Sequence, residues 1–281
     1  IKNKDVNPVL EKEEDIILFQ ETKTEYEKME RKFLENCGYE YYFLKGESAR
    51  TGGLATFTKE KPSIVRRFFR ESADALGRAS ILNYDDFSLI HVYAPVGTGT
   101  KAKLNEKLEY LKNLLAFAKK NADKDLIIAG DFNIAHKEED ISDLDTKVTF
   151  TDEEREVLDK LESLGFVDAF RLSNNEEKQF TSWKNQEARE MNEGARLDYF
   201  FVSKSLADKV KSSNSVVFFE YRGLSVSEMT ELRRKLIEKE FSRMNDMQKS
   251  AVFNVNGAVL ILALIAMIFR NLHLIIKKSE G

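Results

Sequence analysis

Short apolar runs of strand length alternate with stretches of helical period along most of this sequence, and that alternation limits the fold more than any other feature. A short strand that is apolar throughout has to lie between layers, and strands separated by helices indicate an α/β layered domain. Residues 15–20 (DIILFQ), 54–58, 79–82, 88–93 (SLIHVY), 126–129, 197–202 and 216–219 read as strands. The run at 88–93 stops before Pro95, where a ladder donor would be lost. Leu104, Leu108, Leu111, Leu115 and Ala118 recur at helical spacing and predict an amphipathic helix over 101–121. Val157, Leu158, Leu161 and Leu164 predict a second helix over 152–164, facing inward.

The pattern changes near Arg222 and Gly223. Ser225 followed by Glu228 is a capping-box signal. Met229, Leu232, Leu236, Phe241, Met244 and Met247 then line one face of a long charged helix. The apolar run 258–269 is shorter than the about 18–20 residues of a membrane span, although Arg270, Lys277 and Lys278 would extend it by snorkelling. A membrane anchor over 258–276 and a buried helix are both open. The domain expectation is therefore a layered domain over 1–222, a charged helix over 223–250 and an apolar tail over 251–281.

With 281 residues, 42% of them hydrophobic and 33% charged, one sizeable core and a well-solvated surface are affordable together. A net charge of −4 argues against a scaffold that coats nucleic acid, which would need a basic excess. It leaves room for an enzyme whose acidic pocket places a metal ion between protein and phosphate. The single cysteine, Cys37, allows no intrachain disulfide; it suits a reducing, cytoplasmic setting and reads as a packing residue. No signal peptide opens the chain, which starts at Ile1, so the expectation is a front that has been cut.

Four polar clusters stand at strand ends, where open α/β sheets place their sites. Gln20-Glu21-Thr22-Lys23 offers a carboxylate suited to a hard cation. Tyr93-Ala94-Pro95 offers a phenol. In Gly130-Asp131-Phe132-Asn133 the glycine lets the chain turn, and Asp131 and Asn133 point to one side, as base or ligand and as phosphate-orienting amide. The fourth cluster has Trp183, Arg189, Asn192 and Gly194, then Arg196-Leu197-Asp198-Tyr199: cations, an amide, an aromatic face and a further carboxylate. Taken singly, each has an ordinary explanation: a solvated charge for Glu21, a turn for Asp131 and Asn133, a core tyrosine for Tyr93, a surface ion pair for Arg196 and Asp198. Their occurrence together, in this order, favours a site.

DIILFQETK, GRASI followed by IHVYAP, IIAGDFNIAH, FTDEEREVLDKLESLGFVDAFR and TSWKNQEAREMNEGARLDYFFVS resemble successive blocks of the exonuclease III / AP endonuclease family, over roughly residues 15–219. ETK and GDFN are shared across the wider endonuclease/exonuclease/phosphatase superfamily; the Trp183 block with its Arg-Leu-Asp-Tyr core belongs more to the DNA-repair branch. The resemblance implies a four-layer α/β sandwich, incomplete at both ends, with a helical tail. It implies Mg²⁺ or Mn²⁺ held by Glu21 with Asp131 and Asn133, and catalytic roles for Tyr93, Asp131, Asn133 and Asp198. It puts Lys23, Arg78, Trp183, Arg189, Asn192 and Arg196 near the DNA or the abasic sugar. His136 reads as structural, and His91 is assigned no role. The implied substrate is double-stranded DNA with abasic sites or 3′ ends, cut by a monomeric enzyme of base-excision repair.

Two departures from that family follow from the text of the chain. Its opening Asn-x-Asn-Gly turn is not found at the front, and its closing Ser-Asp-His is found nowhere. Losing one transition-state donor costs ~10²–10³ in kcat, so impaired turnover is the expectation. Phe253-Asn254-Val255-Asn256-Gly257 looks like the opening motif displaced to the other end, which would bring Asn254 near Glu21; coincidence is the plainer explanation. A catalytically dead DNA binder, or a membrane-tethered relative, is the rival of another class. A superfamily phosphatase or sphingomyelinase is disfavoured by the Trp183 block.

Overall fold

The computed structural model describes residues 15–22, 37–46, 52–68, 77–142, 150–172 and 177–212. Lys23, Asn254, the strand expected at 216–219, the charged helix and the apolar tail all lie outside those residues.

Two sheets carry the fold. The larger has six strands in the order β4-β5-β6-β7-β11-β8, formed by Ile64–Arg67 (β4), Ala79–Asn83 (β5), Ser88–Tyr93 (β6), Leu126–Asp131 (β7), Val167–Asp168 (β8) and Asp198–Val202 (β11). The β6–β7 pair is parallel and the other four are antiparallel. The smaller sheet has the order β1-β3-β2, from Ile16–Phe19 (β1), Glu40–Leu44 (β2) and Leu54–Thr58 (β3). A two-residue hairpin ladder, Ser182–Trp183 (β9) with Gly194–Ala195 (β10), stands apart from both.

Alternation along the strands sorts the core. One face of the large sheet contributes Ile81, Ile90, Val92, Ile128 and Phe201 to a cluster with Leu111 and Leu114 of Lys101–Lys120 (α1) and Leu158 and Leu161 of Asp152–Ser163 (α2). The other face contributes Leu82, Leu89, Ala129 and Phe200, which meet Ile16, Leu18 and Tyr42 of the small sheet. Ile17, Phe57 and Tyr39 form a further cluster with Cys37 beside it, so the cysteine packs as expected. Helices, six-stranded sheet and three-stranded sheet thus follow one another as layers, in agreement with the α/β expectation.

The helices differ in detail from their periodicity. On α1 the buried residues are Lys107, Tyr110, Leu111, Leu114 and Ala118, while Leu104, Leu108 and Leu115 are half-buried. The buried stripe is therefore turned toward a lysine and a tyrosine. α2 starts with a reciprocal cap: Thr151 Oγ1 accepts from the Glu154 backbone N–H, and the Glu154 side chain accepts from the Thr151 N–H. Two shorter helices, Gln186–Glu190 (α3) and Lys204–Ser212 (α4), and a 3-10 turn, Glu138–Asp140, complete the described elements. Among the described residues no helix is long and apolar enough to cross a membrane.

Candidate functional site

Register brings the chemistry together at one end of the sheets. Tyr93 is paired with Asp131 across β6 and β7, and Asp131 with Asp198 across β7 and β11. Registered neighbours point to the same face, so a phenol and two carboxylates stand in a row on the side that faces the small sheet. Two carboxylates side by side repel, and such a row calls for a cation or donor to offset it. From the small sheet, Glu21 arrives at the exit of β1. The Tyr93 hydroxyl donates to its Oε1 over 2.7 Å, closing the gap between the two sheets.

Two of these segments are held in left-handed backbone, at Glu21 (φ 49°) and Asn133 (φ 53°). Non-glycine residues there cost of order 1–3 kcal/mol and persist where their surroundings over-determine them. Asn133 is gripped from several sides. Its backbone N–H donates to Asp131 Oδ1 at 2.8 Å, its Nδ2 donates to the Ala94 carbonyl at 2.8 Å, and its own carbonyl accepts from Lys107 Nζ at 2.7 Å. Lys107 is fully buried and ion-paired with the equally buried Glu154. Burial pulls its pKa below the usual lysine value, and the charge of Glu154 opposes that.

Gly130 is not at a turn, as expected from the sequence, but inside β7, with φ 135°. A Cβ there would lie 2.0 Å from the Val92 carbonyl oxygen, so glycine is what lets β7 keep its place beside β6 up to Asp131.

Burial raises the Tyr93 pKa above the ordinary phenol range; the hydrogen bond to Glu21 and the charges of Glu21 and Asp131 add to this, and Arg78 opposes it. Tyr93 is therefore a neutral donor at physiological pH. Arg78 lies 5.1 Å from the centre of the Tyr93 ring. Among the described residues its Nε and Nη1 are buried and find no hydrogen-bond partner, and the same holds for Thr22 Oγ1, beside Glu21, and Trp183 Nε1. Orphaned buried donors are rare in folded proteins and call for an explanation such as a bound group.

The Trp183 block sits next to this row. Thr181 Oγ1 accepts from the N–H groups of both Leu197 and Asp198, which fixes the approach to β11. Trp183 is flanked closely by Gly194, where a Cβ would come 2.8 Å from the indole, and Arg189 lies over the ring at 4.8 Å. The aromatic face is thus covered by a guanidinium. Asn192, also left-handed, is exposed, and its amide donates to the Lys178 carbonyl.

Arg196 requires a correction. Its side chain is buried: Nε and Nη2 donate to the two oxygens of Asp140 at 2.8 and 3.0 Å, and Nη1 donates to Asp168 at 2.6 Å. Tyr199 lies beneath it at 4.4 Å. A guanidinium engaged on every side inside the protein cannot also meet solvent-borne DNA, so Arg196 holds loops together. Its partners are Asp140 and Asp168, not Asp198.

Oxygen donors from Glu21, Asp131, Asn133 and Asp198 form a set suited to a hard cation such as Mg²⁺. The three carboxylates do not close to a tight cage. Among the described residues, His136, Asp159 and Glu162 are the group of three whose ligand atoms all lie within 4.8 Å of one another. Lys137 Nζ already sits 2.8 Å from Asp159 and 3.4 Å from Glu162, so an ammonium takes the cation's place there.

Sequence reasoning missed Lys107, Thr181 and the Asp140–Asp168 pair. A lysine within an apolar helical stripe was the one available signal for the first.

Comparison with known proteins follows the same outline. A family model described as the Endonuclease/Exonuclease/phosphatase family matches residues 2–217. A ribosomal protein L10 model matches 202–246, a stretch lying mostly outside the described residues. The DNA-(apurinic or apyrimidinic site) endonuclease of Dictyostelium discoideum is 33% identical over 223 residues, covering 76% of this chain and 62% of that protein. An exodeoxyribonuclease of Streptococcus pneumoniae is 30% identical over 221 residues, 72% of this chain and 80% of that one. Among solved structures, an AP endonuclease from Archaeoglobus fulgidus superposes with a TM-score of 0.65 at 27% identity, over 72% of this chain and 82% of that one.

Proposed function

This chain belongs to the endonuclease/exonuclease/phosphatase family, in its exonuclease III / AP endonuclease branch, and on that footing we propose that it is a nuclease that hydrolyses DNA phosphodiester bonds in repair with the help of Mg²⁺. The observation that carries the reading is the row Tyr93–Asp131–Asp198 meeting Glu21 between the sheets, with the guanidinium of Arg78 beside it. Carboxylates alone would repel a phosphate; a cation and an arginine make the cleft acceptable to one.

Glu21, with Asp131 and Asn133, would hold the cation. When bound, it would neutralise charge on the phosphoryl oxygens. The remaining steps belong to the chain. Asp131 takes a proton from the attacking water as the new P–O bond forms, and its carboxylate is fixed for that by the Asn133 N–H. The Asn133 side chain, held by Ala94, is presented toward the phosphoryl group. Arg78 donates to its oxygens, Tyr93 holds Glu21 in place through its hydroxyl, and Asp198 supports the row from β11. One P–O ester bond breaks, the departing oxygen takes a proton from solvent water, and Asp131 returns its proton to solvent. Arg189, Asn192 and Trp183 extend the contact surface for DNA, and abasic sites or 3′ ends are the sites of cutting.

The test is a duplex carrying one abasic site, incubated with the protein and Mg²⁺, with EDTA and Asp131→Asn controls. Slow nicking that both controls abolish supports the proposal. Retention of the duplex with no nicking favours a DNA-binding relative instead.

A further inference from the structure

We propose that His91 is a positioning residue for Glu21, a neutral strut that ties the end of β1 to the central strand β6. The inference rests on the reading of Glu21 as a cation ligand.

Consecutive residues of a strand face opposite ways. Gln20 and Glu21 do not: the Gln20 amide nitrogen lies 2.7 Å from His91 Nε2, and Glu21 Oε1 accepts from Tyr93. Both therefore face β6, where His91 and Tyr93 are two apart and point to the same side. The left-handed backbone at Glu21 makes this possible, and it needs contacts on both sides to persist. The Thr22 N–H, bonded to the Gly53 carbonyl, holds the chain just beyond.

His91 is suited to the task by its own environment. It is fully buried between the sheets, and its second nitrogen, Nδ1, lies 3.0 Å from Thr56 Oγ1 of β3. Both contacts are satisfied when Nδ1–H donates to Thr56 and Nε2 accepts from Gln20. Burial pushes the pKa down to about 3, so this neutral form persists through the working range. One side chain on β6 thus fixes β3 and the end of β1 together, and β6 grips the ligand segment twice, through Gln20 and through Glu21.

The experiment is Mn²⁺ titration of the full chain, followed by the loss of the free-ion EPR signal, with thermal unfolding run on every variant. Glu21→Gln marks the loss of the ligand itself. His91→Leu and Gln20→Met each remove one partner of the strut, and both should weaken Mn²⁺ binding by about tenfold or more, the usual range for a residue that orients a ligand. His91→Gln returns an acceptor near the position of Nε2 and should recover most of the affinity. A packing role alone would leave Gln20→Met, whose side chain is half-buried, with parental affinity. Parental affinity in Gln20→Met and His91→Leu overturns the strut while leaving the cation site standing. No Mn²⁺ binding by the parent overturns the cation site, and the strut with it.

Discussion

Gly130→Ala is a one-methyl change that isolates how the site is built. The added Cβ would lie 2.0 Å from the Val92 carbonyl oxygen and 3.0 Å from its carbon. Ordinary contact is about 3.5 Å, so something must move by roughly 1.5 Å. The obstacle is main chain of β6, which cannot rotate away as a side chain would, and β11 pairs with β7 on the other side, Tyr199 opposite Gly130. Overpacking costs about 1–3 kcal/mol, and an alanine at φ 135° adds a further ~1–3 kcal/mol. The expected loss is therefore about 2–6 kcal/mol. At about 2–4 °C per kcal/mol for a domain of this size, Tm should fall by roughly 5–20 °C. The displacement also falls between Val92–Tyr93 and Asp131, and a 1 Å error in a reacting constellation can cost ~10² in rate. Thermal unfolding, and single-turnover nicking at a temperature where the variant is folded, measure the two effects separately. A variant with parental Tm and parental rate would refute the close-approach account of this glycine.

Three further outcomes follow from buried charges and the Tyr93 contact. Lys107→Met should destabilise by about 3–5 kcal/mol, because it leaves Glu154 buried without its cation, and Lys107→Met with Glu154→Gln should regain most of that while keeping the α2 cap; urea unfolding compares them. Burial pushes the Asp140 carboxyl up, but the bonds and charge of Arg196, with Arg171, more than offset this and leave its pKa below the usual value. Its stabilising contribution is therefore full above the ordinary carboxylate range and is lost as pH falls through that range toward the folded value. Asp140→Asn should flatten that part of the stability-versus-pH curve, read by unfolding from pH 7 down to pH ~3. Tyr93→Phe removes the donor between the sheets and should lower nicking by ~10²–10³ with DNA retention little changed, measured by single-turnover rates and gel shift.

The layered architecture was legible because burial is written into the strand residues. Ile16–Phe19, Leu54–Thr58 and Ser88–Tyr93 are apolar on both faces or nearly so, and each became a strand within a residue or two of its expected limits. Polar-rich edges were not legible. Ile64–Arg67 is exposed throughout, and Val167–Asp168 is too short to show a period. Segments 15–22, 88–93 and 126–133 were legible as carrying the candidate site because polar residues follow apolar runs at strand ends. Arg196 misled for a physical reason: a guanidinium beside Asp198 looks available for phosphate, and nothing local reveals that Asp140 and Asp168, distant in sequence, enclose it. Lys107 was hidden similarly, since a helix lysine is normally solvated and its carboxylate partner lies on another helix.

The claim on which the rest depends is that Glu21, Asp131 and Asn133 share one divalent cation at the ends of the two sheets, with Asp198 beside them. Crystals soaked in Mn²⁺, with an anomalous difference map recorded at the manganese edge, test it directly. The account predicts one strong peak about 2.1 Å from an oxygen of Glu21, with Asp131 or Asn133 in or just outside its coordination shell. A peak among His136, Asp159 and Glu162 with none beside Glu21 would contradict it.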